Sequence, residues 1–252
     1  MTLLRSSALV VATVVAVASN VAAQAQGRGF MFKRPLGSLT IRGGFAVPYA
    51  HSDIFSFTMD QLTIDRSDLN TLAADADLAL WVSRRVDLVL SIAYSGRSNQ
   101  SEFREWLDNN NRPIVQKTLF ERVPVTINAK FYLKPRGREI GRFAWLPQRL
   151  DAYAGGGVGA TWYRFRQTGD FIDFGTLKVF PDQFESTGVA VMAQALAGTE
   201  LSLGPLVFLN TEVRYGVAQT GMSSDFVGYQ KIDLSGFSAT VGVGLRFARW
   251  PR

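Results

Sequence analysis

Thr240-Val241-Gly242-Val243-Gly244-Leu245-Arg246-Phe247 is the stretch on which the fold turns. In an extended strand, successive side chains point to opposite faces. Val241, Val243, Leu245 and Phe247 therefore share one face; Thr240, Gly242, Gly244 and Arg246 share the other. An apolar outer face, a small or polar inner face and a closing aromatic describe a strand held between lipid and a wet lumen.

The same two-residue rhythm recurs upstream in seven more segments. Leu39, Ile41, Phe45 and Val47 alternate with Ser38, Thr40, Arg42 and Gly44. Leu78, Leu80 and Val82 alternate with Asp75, Asp77, Ala79 and Trp81. Arg84-Arg85 then reads as a tight turn into Leu88, Leu90, Ile92 and Tyr94, with Asp87 and Ser91 opposite. Val125, Ile127, Phe131 and Leu133 oppose Thr126, Asn128, Lys130 and Tyr132. Two later segments turn Val189, Val191, Val213 and Tyr215 outward, and Gln194, Glu200, Glu212 and Arg214 inward. The stretch from Leu150 to Phe165 is ambiguous, because Gly155, Gly156, Gly157 and Gly159 blur its phase. A helix would repeat its apolar residues near every 3.6 positions, not every two.

The expected fold is all-β: an eight-stranded antiparallel transmembrane barrel. Long loops are expected over 49–72, 98–116, 166–186 and 218–232, and short turns at the other end. The link 134–149 is the exception, being long and basic and carrying Phe143, Trp145 and Pro147. A ten-stranded count stays open if one long loop folds as an added hairpin.

Residues 1–25 read as a Sec-type signal peptide, and 26–252 as the barrel domain. Arg5 supplies the charged start, Ala8 to Ala18 the apolar stretch, and Ala23-Gln24-Ala25 the cleavage site. The expected location is a bacterial outer membrane. The chain has no Cys, hence no lipidation site.

Hydrophobic residues make up 47% and charged residues 19%, which excludes disorder and coiled coil. The net charge of +6 raises nucleic acid as a partner, but its distribution argues against one. Arg84, Arg85, Lys134, Arg136, Arg138 and Arg149 sit at the turn end, whereas Asp53, Asp60, Asp65, Asp170, Asp182 and Glu185 sit in the long loops. That is an end-to-end asymmetry, not a basic groove.

Residues 36–247 resemble the small eight-stranded outer-membrane barrels, the OmpA, OmpX and OmpW kind. Thr240, Gly242, Leu245 and Phe247 match the C-terminal insertion signal of that family. The resemblance implies two partners, the barrel assembly machinery during insertion and outer-membrane lipid afterwards. One departure stands out: Ala248-Arg249-Trp250-Pro251-Arg252 follow the aromatic that usually ends such chains.

The interior of an eight-stranded barrel is just wide enough for side chains to fill. The inward set includes Arg42, Lys130, Arg214 and Arg246 against Asp75, Asp77, Glu200 and Glu212. This near balance suits an ion-pair network plugging the lumen; a wet lumen with solvated charges is the other reading. Tyr94, Phe131, Tyr132, Trp162, Tyr163, Tyr215 and Phe247 fall near strand ends, where aromatic belts form.

The long loops hold Phe55, Phe57, Phe103, Trp106, Phe171, Phe174, Phe180, Phe184, Phe226 and Tyr229. Phe55, Phe57, Trp106, Phe171 and Phe174 are candidates for an apolar pocket that takes a small hydrophobic ligand, as the OmpW resemblance implies. The alternative is that the rings pack the loops together. The single His51 stands beside Ser52 and Asp53, but neighbours on an extended chain point apart, so the triplet is no catalytic triad. Gly155 to Gly159 lead into a strand-like stretch, unlike a dinucleotide loop. No metal and no cofactor are expected. The expected function is non-enzymatic, a structural or surface-interaction barrel. Passage of small hydrophobic molecules is the second reading, and lipid modification the third.

Overall fold

The computed structural model describes residues 29–108, 111–141, 144–173, 175–176 and 178–248. The expected signal peptide lies outside them. In chain order the elements are β1 (Gly37–Pro48), α1 (Asp53–Gln61), β2 (Thr71–Trp81), β3 (Val86–Leu107), β4 (Pro113–Tyr132), β5 (Gly137–Ile140), β6 (Ala144–Pro147), β7 (Leu150–Asp173), β8 (Lys178–Ser202), β9 (Val207–Thr220), β10 (Ile232–Asp233) and β11 (Gly236–Phe247).

Eight of these strands close a ring. Antiparallel pairing runs β1-β2-β3-β4-β7-β8-β9-β11, and β11 pairs back onto β1 from Gly37↔Phe247 to Pro48↔Gly236. Closure leaves no unpaired edge at the height of the membrane, which a sheet in lipid requires. The wall therefore has eight strands and not ten. β5 and β6 form a separate two-stranded sheet at the end with the short turns, and β10 pairs only two residues of β9.

The faces follow the alternation. Phe45, Leu72, Leu90, Ile127, Val158, Val191, Val213 and Val243 are exposed on the outer wall, while Arg42, Asp77, Asn128, Glu212 and Arg246 are buried within it. Such an apolar surface would be a liability in water, but it is the natural contact for acyl chains. The molecule is a membrane-spanning barrel.

Two of the expected loops are largely strand. β3 and β4 run 22 and 20 residues, and β7 and β8 run 24 and 25; β1, β2, β9 and β11 run only 12, 11, 14 and 12. The extra length pairs as Gln100↔Lys117 and Phe171↔Phe180, well past the apolar belt. Beyond lipid the outer face is wet and the buried inner face carries polar residues such as Ser101, Gln116 and Thr118, so an apolar–polar alternation no longer betrays the strand. The four long strands are consecutive in the ring, so half of the wall stands tall.

β7 has odd-numbered residues inward. This sends Tyr153 and Tyr163 into the lumen, and Tyr132 joins them from β4. Tyr132 and Tyr163 therefore do not belong to an outer belt; Tyr94, Phe131 and Tyr215 do stand exposed outside. Gly157 shows why glycines blurred the phase. A Cβ there would lie 2.2 Å from the Ile127 carbonyl oxygen, so the close approach of β7 to β4 needs a residue without one.

Candidate functional site

The lumen is filled in layers, and the middle layer is ionic. Arg42 projects inward from β1, Asp75 and Asp77 from β2, Lys130 from β4, and Glu212 and Arg214 from β9. Arg42 contacts Asp75 and lies 2.9 Å from Asp77 and 3.3 Å from Glu212. Lys130 Nζ lies 3.0 Å from Asp77 and 2.6 Å from Glu212. Arg214 reaches Asp77 at 2.8 Å and also contacts Glu212. Three cations thus meet three carboxylates, which offsets the large cost of removing each charge from water. Neutral groups complete the shell. Arg42 donates to Asn210 Oδ1 at 2.8 Å, and the Tyr153 phenol donates to Glu212 Oε2 at 2.6 Å.

Arg246 and Glu200 belong to a second cluster, nearer the short-turn end. Their nearest atoms are 3.6 Å apart. Tyr132 donates to Glu200 at 2.8 Å, and the Arg246 guanidinium lies 4.5 Å from the Phe208 ring centroid. The lumen charges named from sequence therefore form two networks, six residues in one and two in the other. Residues absent from that set complete the second. Asp87 pairs with Arg136, whose guanidinium stacks 3.7 Å from the Trp81 centroid and 4.2 Å from that of Tyr132. Asp151 is buried directly across from Glu200. Asp87 was visible as an inward residue, but Arg136 comes from the 134–149 link, where no long rhythm signals a fold.

That link is the floor. Trp145 of β6 exchanges backbone hydrogen bonds with Met31 at 2.8 and 2.9 Å. Its indole is buried and meets Trp81 at 5.5 Å between centroids.

Above the middle layer, Asn128 donates to Ser91 and Thr126, and Gln194 donates to Asn128. A cavity of about 60 Å³ follows, mostly apolar in lining but bordered by Gln194, Arg214 and Arg122, and large enough for a few waters. Arg122, just ahead of the expected start of the fourth strand, is buried and donates to the carbonyls of Leu234 and Ser235 at 2.8 and 3.1 Å.

The mouth is closed by an apolar plug. Helix α1 is carried over it by the β1–β2 connection, and Ile54 and Phe55 are each 1% exposed. Phe55 meets Phe120 at 5.1 Å and Phe165 at 5.6 Å; Phe165 meets Phe226 at 5.5 Å. Three of the candidate pocket residues, Phe55, Phe57 and Phe171, are thus packed on other rings. Phe57 touches Tyr229 at 5.7 Å, Phe171 meets Phe184 at 4.6 Å, and Trp106 lies partly buried against the cluster. Phe174 lies outside the described residues.

His51 stacks on Tyr49 at 3.9 Å, and its Nε2 lies 2.8 Å from Arg66 Nη1. Ser52 Oγ accepts from the Asp233 amide, and Asp53 accepts from the amides of Ile54 and Gln230. The three side chains serve three different contacts. Among the described residues, no group of three or more His, Cys, Asp or Glu is arranged to hold a metal ion. At the loop tip, the Thr176 hydroxyl and the Gly175 amide hold the exposed Asp173 carboxyl below its ordinary range. Thr240 and Gly242 of the candidate insertion signal lie on the lumen side of β11, and Leu245 and Phe247 on the outer side.

No family model and no curated protein matches this chain. Among solved structures it is similar to Ail, the attachment invasion locus protein of Yersinia pestis, at 15% identity and a TM-score of 0.42, over 84% of this chain and 99% of that one. It is similar to the outer membrane protein OprG from Pseudomonas aeruginosa at 14% identity and a TM-score of 0.42, over 86% and 98%. Neisserial surface protein A aligns at 9% identity and a TM-score of 0.41, over 84% and 96%. The architecture itself rests on the strand pairing of this chain.

Proposed function

We propose that the chain is a closed, non-enzymatic outer-membrane barrel whose work is done at its outer surface. One observation carries this reading: the lumen is blocked at both ends and across its middle. Trp145 and Arg136 close one end, the Arg42–Asp77–Lys130–Glu212 network fills the middle, and α1 with its phenylalanines closes the mouth. A bare charge or a bare apolar face would admit water; in the middle layer cations meet carboxylates, and at the mouth ring packs on ring. Phe55, Phe57 and Phe171, offered for a hydrophobic ligand, already pack on other rings. The tall half of the wall would then be what the barrel displays. Lipid would surround the apolar belt, and the assembly machinery would read β11.

The test is conductance. Reconstituted in planar bilayers, the mature protein should give no stable open level. A steady channel of nanosiemens scale overturns the reading.

A further inference from the structure

The end of the barrel with the short turns carries a cavity of about 450 Å³ between the β2–β3 turn and the β5–β6 hairpin. Four arginines border it, Arg34, Arg84, Arg136 and Arg138, with one carboxylate, Glu139. Their charge is only partly answered. Arg136 pairs with Asp87. Arg84 and Glu139 are 4.0 Å apart and both well exposed, a contact that water largely screens. Among the described residues, no carboxylate oxygen lies within 4.0 Å of Arg34 or Arg138.

Trp81 and the buried Arg136 form part of the wall, and their unpartnered Nε1 and Nε lie sealed behind it. What faces the opening is the excess of positive charge on Arg34, Arg84 and Arg138. That excess calls for an oxyanion with several oxygens, and guanidinium forks match phosphate in particular.

The surroundings narrow the source. Leu36, Val82 and Leu133 stand exposed two residues from Arg34, Arg84 and Pro135, so apolar wall and basic pocket adjoin. A molecule with an acyl tail and an anionic head meets that pattern at a membrane surface. We propose that this pocket binds a phosphate group, supplied by an anionic phospholipid headgroup of the adjoining leaflet. Free phosphate shares the chemistry and is separated from the lipid by the experiment. The site shares Arg136 and Trp145 with the closed end of the lumen, but its unanswered charge lies on Arg34, Arg84 and Arg138 and does not depend on whether the lumen conducts.

The test uses the full mature chain in a phosphate-free sugar detergent, with the Trp81 and Trp145 indole N–H resonances as reporters. Phosphatidylglycerol, diacylglycerol and inorganic phosphate are titrated separately. Phosphatidylglycerol should move the Trp81 resonance saturably, and diacylglycerol should not. In an Arg34→Gln, Arg138→Gln variant with unchanged heat-modifiable migration, the midpoint should rise about tenfold or more. Movement by inorganic phosphate at the same midpoint assigns the free ion and overturns the lipid source. No movement with either, equal movement with diacylglycerol, or an unchanged midpoint in the variant overturns the site.

Discussion

Lys130 and Glu212 meet inside the barrel at 2.6 Å although their strands, β4 and β9, stand three places apart in the ring. The contact spans the lumen, so it forms only when the ring has closed. It links register to charge: a slip of one residue in either strand would turn its charged residue toward lipid.

Lys130→Met should therefore destabilise the barrel by about 3 kcal/mol or more, because Asp77 and Glu212 lose a buried counter-ion. Lys130→Met combined with Glu212→Gln should cost less than the sum of the two single changes. Urea titration of folding into vesicles measures both. Strict additivity would show that the two residues act independently.

Ile127 and Asn128 are neighbours on opposite faces, 56% and 1% exposed. Ile127→Arg puts a cation into lipid at a cost of about 2–4 kcal/mol, and Val213→Arg does the same on β9. Asn128→Ala puts no charge into lipid and removes neutral hydrogen bonds with Ser91, Thr126 and Gln194, worth about 1 kcal/mol each. Folding yield into bilayers should fall sharply for the two arginine variants and modestly for the alanine variant.

Phe55→Ala should leave a hole where α1 meets Phe120 and Phe165, at a cost of about 3–5 kcal/mol if nothing relaxes. The helix is held by this side chain more than by its caps, since Ser52 makes no capping hydrogen bond. Amide exchange in 53–61 should accelerate while exchange in β9 and β11 stays slow. Uniform acceleration throughout the barrel would mean that the plug is part of the global fold.

Gly198→Val should act at a distance. A Cβ at 198 would stand 2.4 Å from the Thr211 carbonyl oxygen and 2.5 Å from the Tyr153 hydroxyl oxygen, and that hydroxyl bonds Glu212. Crowding of this kind costs about 1–3 kcal/mol. Tyr153→Phe removes the hydroxyl and should recover part of the loss; no recovery would locate the strain elsewhere.

The tip of the β7–β8 hairpin should respond to acid. The Thr176 hydroxyl and the Gly175 amide hold the Asp173 carboxyl below the ordinary aspartate range, because the folded turn favours the charged form. Its contribution is complete above the unfolded value and is lost as pH falls through the lower, folded one. Amide exchange at Gly175 and Thr176, corrected for its intrinsic pH dependence, should rise in that window. Asp173→Asn should remove the transition.

Legibility in the sequence tracked the solvent. Where lipid presses on one face, as at Val125, Ile127 and Phe131, the pattern of two is enforced and strand and face could both be read. Past Tyr94 the pressure ends: Ser98, Asn99, Gln100 and Ser101 read as a loop, although they pair with β4. The inward charges were visible by parity, but their partners were not. Asp77 and Lys130 lie 53 residues apart, on β2 and β4, and meet only once both strands have paired with β3. The hairpin bearing Arg136 and Trp145 is too short for any rhythm, four residues to a strand. The loop rings announced burial without saying whether a guest or another ring would cover them.

The unequal strand lengths give this molecule a front and a back. An evenly cut cylinder could spin in the plane of the membrane and look the same from every bearing. Here Phe55 is carried from the low side and leans onto Phe120 and Phe165 of the high side. A visitor from outside finds a step rather than a rim, and what it touches depends on the compass point from which it comes.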